Sequence, residues 1–153
     1  MRKKSIDELL VGDIYQLIVG TPAYVKKSAK LRAAVEAMIN VPYSQKVYVV
    51  DKDNKLLGTI TIATLLRQVG YRLGARKPGV ISFFKFLSEI FKESVEEFME
   101  APVDVTKNVK IRDALQLMVE NRLNNLPVVD EKGRLIGELN SIEILREAKN
   151  HLE

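Results

Sequence analysis

The feature that most constrains this chain is that it repeats itself. Residues 21–34 align with residues 101–114 at an offset of 80 positions, and Pro22, Val25, Lys27, Lys30, Arg32 and Ala34 each meet an identical residue. The match resumes at an offset of 79, where Val49-Val50-Asp51 meets Val128-Val129-Asp130 and Gly58 meets Gly137. The first copy therefore carries one extra residue, around Val41 to Lys46. A duplicated unit this small has too little interior to be stable by itself, so the two copies are expected to pack together.

Both copies carry the same periodicities. Leu31, Ala34, Val35, Met38 and Ile39 recur at helical spacing, as do Ile111, Ala114, Leu115, Met118 and Val119. Such stripes mark amphipathic helices laid on a core. Before each helix a proline leads into a short extended segment around Val25 or Val105. After each come two apolar runs joined by a polar turn, Val47–Val50 with Leu56–Ile60 and Leu126–Val129 with Leu135–Leu139, which read as β-hairpins. Asn54 and Gly133 hold equivalent turn positions and both tolerate positive φ. A second helix is expected from about Ile62 and from about Ser141. The fold class is α/β in the α+β sense, with two β-α-β-β-α units. The boundaries read as a helical lead-in over 1–20 with Ser5 and Glu8 as a capping box, repeat 1 over 21–73, a helical insertion over 74–94 and repeat 2 over 95–153. All five phenylalanines lie between positions 83 and 98, and Phe84, Leu87, Phe91, Val95 and Phe98 are expected near one helix face. That face either folds back over its own core or serves self-association.

Composition narrows the function classes. The 153 residues are 46% hydrophobic and 29% charged, which is ordinary globular material. No apolar run has the length of a membrane span, and no signal-peptide stretch follows the basic start, so a cytoplasmic location is expected. The absence of cysteine excludes disulfides and thiolate metal sites. A net charge of +4 suits anionic partners, phosphates included, without naming one. No arginine-rich run interleaved with aromatics supports a nucleic-acid binder, which stays a lesser alternative. The single histidine, His151, builds no nucleophile–base set, and there is no phosphate loop of the Gly-x-x-x-x-Gly-Lys type. A non-enzyme without metal is expected.

Taken together, the residues resemble the CBS domain family, as a tandem pair. The strongest stretch is Asn125-Leu126-Pro127-Val128-Val129-Asp130-Glu131-Lys132-Gly133-Arg134-Leu135-Ile136-Gly137, with Lys46-Val47-Tyr48-Val49-Val50-Asp51 and Leu56-Leu57-Gly58 as its more divergent counterpart. The resemblance covers about residues 10–72 and 95–150. It implies two three-stranded sheets related by a pseudo-two-fold axis, with two clefts between the halves. It also implies AMP, ADP, ATP or S-adenosylmethionine as ligands, no required cofactor, and a homodimer formed through helical faces. The implied role is a standalone regulatory module for a partner enzyme or transporter.

The family's ligand signature, Gly-x-x-Thr/Ser-x-x-Asp, opens the last helix of each repeat. Its hydroxyl meets phosphate at a helix N-terminus, and its carboxylate takes the ribose hydroxyls. Here Gly58 leads to Thr61 and Thr64, which keeps the hydroxyl and loses the carboxylate. Gly137 leads to Asn140, Ser141 and Glu143, which keeps a carboxylate one methylene longer. The resemblance further assigns Tyr24, Val25, Asp104 and Val105 to the strand edging each cleft, and Val47 and Leu126 to the adenine end. Arg67, Arg72, Arg76 and Lys77 are weaker phosphate candidates. The same residues have a purely structural reading, with Asn140 and Glu143 as a capping box and Thr61 as an N-cap. The corresponding alternative function is an interaction scaffold with empty clefts.

Overall fold

Each copy of the repeat folds into nearly the same run of elements. The structure, a computed structural model, describes residues 4–17, 20–75 and 83–152. A 3-10 turn at Ile6–Glu8 is followed by α1 (Val11–Ile14), β1 (Tyr24–Lys26), α2 (Leu31–Asn40), β2 (Lys46–Val50), β3 (Leu56–Thr61) and α3 (Ile62–Ala75). Then come α4 (Phe83–Phe91), a second 3-10 turn (Val95–Glu97), α5 (Ile111–Asn121), β4 (Asn125–Val129), β5 (Leu135–Asn140) and α6 (Ser141–Leu152). In repeat 1, β1 runs parallel to β2 with Tyr24 opposite Tyr48, and β2 is the central strand of three. In repeat 2, β4 and β5 are antiparallel, with Asn125 opposite Asn140 and Leu126 opposite Leu139. Its opening strand is reduced to one residue. Val105 forms a parallel bridge to Val128, donating its N–H to Pro127 O at 3.1 Å and accepting from Val129 N at 2.9 Å. The implied second three-stranded sheet is thus a two-stranded sheet with one bridging residue beside it.

The chain divides into two compact units that cross over the sequence repeat. One holds Ala23–Lys52 and Leu57–Ala101; the other holds the N-terminal residues through Pro22, Asp53–Leu56, and the chain from Pro102 onward. Each unit thus takes the segment that precedes the other repeat. In the repeat 2 unit, Val11 N donates to Val109 O at 2.8 Å and Ile111 N to Leu9 O at 2.9 Å. In the repeat 1 unit, Val95 N donates to Ala29 O at 3.1 Å and Leu31 N to Glu93 O at 2.8 Å. These carbonyls satisfy the opening N–H of α2 and of α5, where Lys30 and Lys110 supply no side-chain cap. The lead-in expected as one helix is instead a 3-10 turn and the four-residue α1. Ser5 N donates to Glu8 at 3.3 Å, but the backbone extends at Leu9 and Leu10 to pair with Lys110. That extension lets Leu9, Val11 and Ile14 all point into the core, which one helix face could not do.

Each unit has its own core. In the repeat 1 unit it gathers Leu31, Ala34 and Met38 of α2, Val47 and Val49 of β2, Ile60, Phe86, Ile90, Val95 and Phe98. In the repeat 2 unit it gathers Ile111, Ala114 and Met118 of α5 with Val105, Leu126, Val128, Leu139 and Ile144. Each fully buried aliphatic side chain contributes about 1.5–3 kcal/mol. Only part of each expected stripe is core. The positions one turn on face outward, with Ile39 and Val119 about 70% exposed and Leu115 less so. The insertion stripe is corrected as well. Phe84 is exposed, Phe86 and Ile90 carry the buried face of α4, and the helix ends at Phe91, so Val95 and Phe98 reach the core from the following 3-10 turn. The described part of the insertion, α4, thus folds over its own unit, leaving Phe83 and Phe84 outside. The hairpin turns are as expected, with Asn54 at φ 67° and Gly133 at φ 80°. No described helix is long and apolar enough to cross a membrane.

Candidate functional site

The register of each sheet decides which expected site residues meet. In the repeat 2 unit, Val105 beside Pro127 and Val128 sets Asp104 at the start of β4, while Leu126 pairs with Leu139 and Asn125 with Asn140. Asp104, Leu126 and Asn140 therefore stand on three neighbouring segments at one end of the sheet, and α6 opens there with Ser141 and Glu143. In the repeat 1 unit, Tyr24 lies opposite Tyr48, one residue past Val47, and Ile62 N donates to Gln45 O at 3.1 Å. That bond holds the start of α3, with Thr61 and Thr64, beside the start of β2. Val25, Val47, Val105 and Leu126 are buried in the cores, so their side chains serve packing. Tyr24, Asp104, Thr61 and Ser141 keep exposed or partly exposed side chains.

The helix starts are capped by the residues the signature highlights. Thr61 Oγ1 accepts from Thr64 N at 3.0 Å and donates to Thr64 Oγ1 at 3.0 Å. Asn140 Oδ1 accepts from Ile142 N at 3.0 Å, and Ser141 N donates to Asn124 O at 2.8 Å. Glu143 is fully buried, and its two carboxylate oxygens accept two different backbone N–H groups. Oε1 takes Asn140 N at 2.7 Å, the reciprocal half of a capping box. Oε2 takes Leu17 N at 2.5 Å, from the segment ahead of repeat 1.

That segment is what the residues alone did not disclose. Tyr15, Gln16 and Leu17 run along β5. Gln16 N donates to Glu138 O at 3.3 Å and Gln16 Nε2 to Ile136 O at 2.7 Å, with Gln16 at φ 65°. A Cβ on Gly137 would stand 2.6 Å from Cε2 of Tyr15, so glycine there admits the strap. The repeat 1 unit has a counterpart. Glu100 and Thr59 exchange backbone hydrogen bonds at 2.9 Å, and a Cβ on Gly58 would stand 2.7 Å from Met99 Sδ. A glycine inside each strand is the available signal for such close approach.

The weaker phosphate candidates are engaged elsewhere or undescribed. Arg67 pairs with Glu100 at 2.8 Å. Arg72 forks onto Glu93 at 2.9 and 3.2 Å and lies 4.4 Å from the Phe98 ring centre. Arg76 and Lys77 lie outside the described residues. Lys46, buried at the start of β2 with Nζ 6.0 Å from the Tyr48 ring, is a cation near this end that the sequence did not single out. A cavity of about 470 Å³ lies at the opposite end of β4 and β5, beside Lys107, Asp130, Lys132 and Arg134. There Asp130 accepts the Arg134 backbone N–H and pairs with its guanidinium, which hold its carboxyl below the usual aspartate range. No group of three His, Asp or Glu side chains among the described residues could hold a metal ion.

The CBS domain family model matches residues 11–71 and 95–150. Inosine-5'-monophosphate dehydrogenase of Thermoplasma acidophilum is 26% identical over 97% of this chain, which spans 24% of that protein. A CBS domain-containing protein of Thermotoga maritima is 32% identical in its crystal structure, with a TM-score of 0.75 over 93% of this chain and 95% of that one. CBSX2, crystallised in complex with AMP, is 26% identical with a TM-score of 0.69 over 95% of this chain and 99% of its own.

Proposed function

This chain belongs to the CBS domain family, and on that premise we propose that it is a non-catalytic regulatory module that senses an adenosine-type ligand. The carrying observation is the convergence of Asp104, Leu126, Asn140, Ser141 and Glu143 at one end of the repeat 2 sheet, where α6 begins. A carboxylate that already accepts two N–H groups has the geometry to accept the two hydroxyls of a ribose. The helix start beside it favours an anion. CBSX2, which holds AMP, supports this ligand class. The repeat 1 end offers Thr61 and Thr64, neutral hydroxyls only, so the repeat 2 end is the better ribose site. Calorimetric titration with AMP, ATP and S-adenosylmethionine tests the reading. Binding of at least one is expected, with weakening by Asp104→Ala. No heat and no dialysis retention for all three at millimolar concentration would leave the scaffold reading instead.

The regulated partner is an enzyme or transporter on this reading, and the module self-associates as a homodimer. The outward positions of each repeat support the second point. Ile39, Leu66, Val119, Ile142 and Leu145 are all more than half exposed, more apolar surface than a helix needs to anchor itself. Light scattering is expected to give a dimer, and Ile39→Glu with Val119→Glu a monomer. A wild-type monomer at tens of micromolar would refute the dimer.

A further inference from the structure

We propose that Tyr15–Leu17 is an intramolecular strap that occupies the ribose acceptor of the repeat 2 site, so that ligand binding and strap attachment exclude one another. This rests on Glu143 being the ribose acceptor, and it adds how that acceptor is controlled. Three observations carry it. Leu17 N–H reaches a carboxylate oxygen of a residue with no solvent exposure, the oxygen Asn140 N does not use. Gln16 is held at φ 65°, a region uncommon for a residue with a side chain. What imposes it are the bonds from Gln16 N and Nε2 to the carbonyls of Glu138 and Ile136, on either side of the glycine that Tyr15 covers. Those bonds turn the next peptide so that its N–H faces Glu143.

The arrangement is specific to repeat 2. In the repeat 1 unit the segment at Met99 and Glu100 lies on β3 in the same way, but Thr64 stands where Glu143 does and bonds Thr61. Leu17 itself is half exposed, so the contact to Glu143 is a backbone one and is not enforced by burial of its side chain. A strap of this kind lowers apparent affinity by the fraction of molecules in which it is lifted.

The test uses AMP as probe with the full chain, Leu17→Pro and Gln16→Ala. Leu17→Pro removes the N–H and disfavours the Gln16 conformation before it. Gln16→Ala removes the bond to Ile136 O and keeps the backbone donor, and it remains informative if the proline variant does not fold. Leu17→Pro is expected to bind AMP about tenfold more tightly, through the loss of one charge-assisted hydrogen bond that competes with the ligand, and Gln16→Ala more tightly by a smaller factor, through the loss of one neutral bond that anchors the strap. The Leu17 amide is expected to be protected from hydrogen exchange in the free protein and to lose that protection when AMP saturates it. If AMP binds the unmodified chain, yet the variants bind equally or more weakly and Leu17 stays protected, the strap is refuted and the ligand reading stands. If AMP binds none of the three proteins, the ligand reading of Glu143 fails, and the strap with it.

Discussion

Replacing Glu143 by glutamine should lower the unfolding free energy by about 2–3 kcal/mol, whereas Thr64→Val should cost about 1 kcal/mol. The two positions are equivalent in the repeat, and both are buried at the start of a closing helix. They differ in what depends on them. The carboxylate accepts N–H groups from Asn140 and Leu17 through different oxygens. A carboxamide has one acceptor oxygen, so its NH₂ must face one of these two backbone N–H groups. Thr64 loses only its hydroxyl contact with Thr61, and its backbone N–H still reaches Thr61 Oγ1. Urea melts of the two variants, compared by midpoint at unchanged slope, measure the difference. An equal cost would mean that Leu17 does not hold the carboxylate. The double role also bears on ligand experiments, because glutamine can cap α6 or receive Leu17 but not both. Binding to Glu143→Gln is therefore interpretable only beside its stability.

Most of the fold was legible because the repeat supplied every local signal twice. The hairpins, the positive-φ turn residues Asn54 and Gly133, and both closing helices lie where the residues place them. What was not legible is long-range. Residues 9–16 correspond to 93–100 at an offset of 84, but only Val11 and Val95 are identical. What the two segments share is a job: they cap α2 and α5 with backbone carbonyls, which no side-chain pattern announces. The helix stripes were overread for a related reason. A spacing of i, i+3, i+4 and i+7 gives the apolar face but not its width, and Ile39 and Val119 fall beyond what the sheet covers.

The candidate site divides along the same line. Its residues were found because turn, strand end and helix start follow one another in sequence, and the register then brings Asp104, Leu126 and Asn140 to one end of the sheet. The strap was not found, because Leu17 is 126 positions from Glu143 and contributes only a backbone N–H. Neither residue type predicts that pairing. Gly137 was the one accessible clue, read as the end of a hairpin when it also makes room for the Tyr15 ring.

Arg72→Ala should destabilise the chain by roughly 2–3 kcal/mol, and Arg72→Lys should recover less than half of that. Arg72 sits in the last turn of α3, about a quarter exposed, and ties the helix to the segment after α4. Its Nε and Nη2 fork onto the Glu93 carboxylate at 2.9 and 3.2 Å, Nη1 meets Gln68 Oε1 at 3.0 Å, and the guanidinium lies over Phe98. Solvent screens the ion pair, with Glu93 about a third exposed, so the pair alone is worth about 1 kcal/mol or less. Stacking on Phe98 adds about 0.5–2 kcal/mol, and the buried stem supplies the rest. Lysine keeps the charge and part of the stem but has neither the fork nor the plane. The consequence reaches the site, because Glu93 also supplies the carbonyl that receives Leu31 N at the start of α2. Loosening Arg72 therefore loosens both helices of the repeat 1 unit, and α3 is the helix that begins at Thr61 and Thr64. Amide exchange should report faster opening in α2 and α3 of the alanine variant, with α5 and α6 unchanged. Uniform acceleration across all four helices would mean that the clamp serves global stability and has no local role.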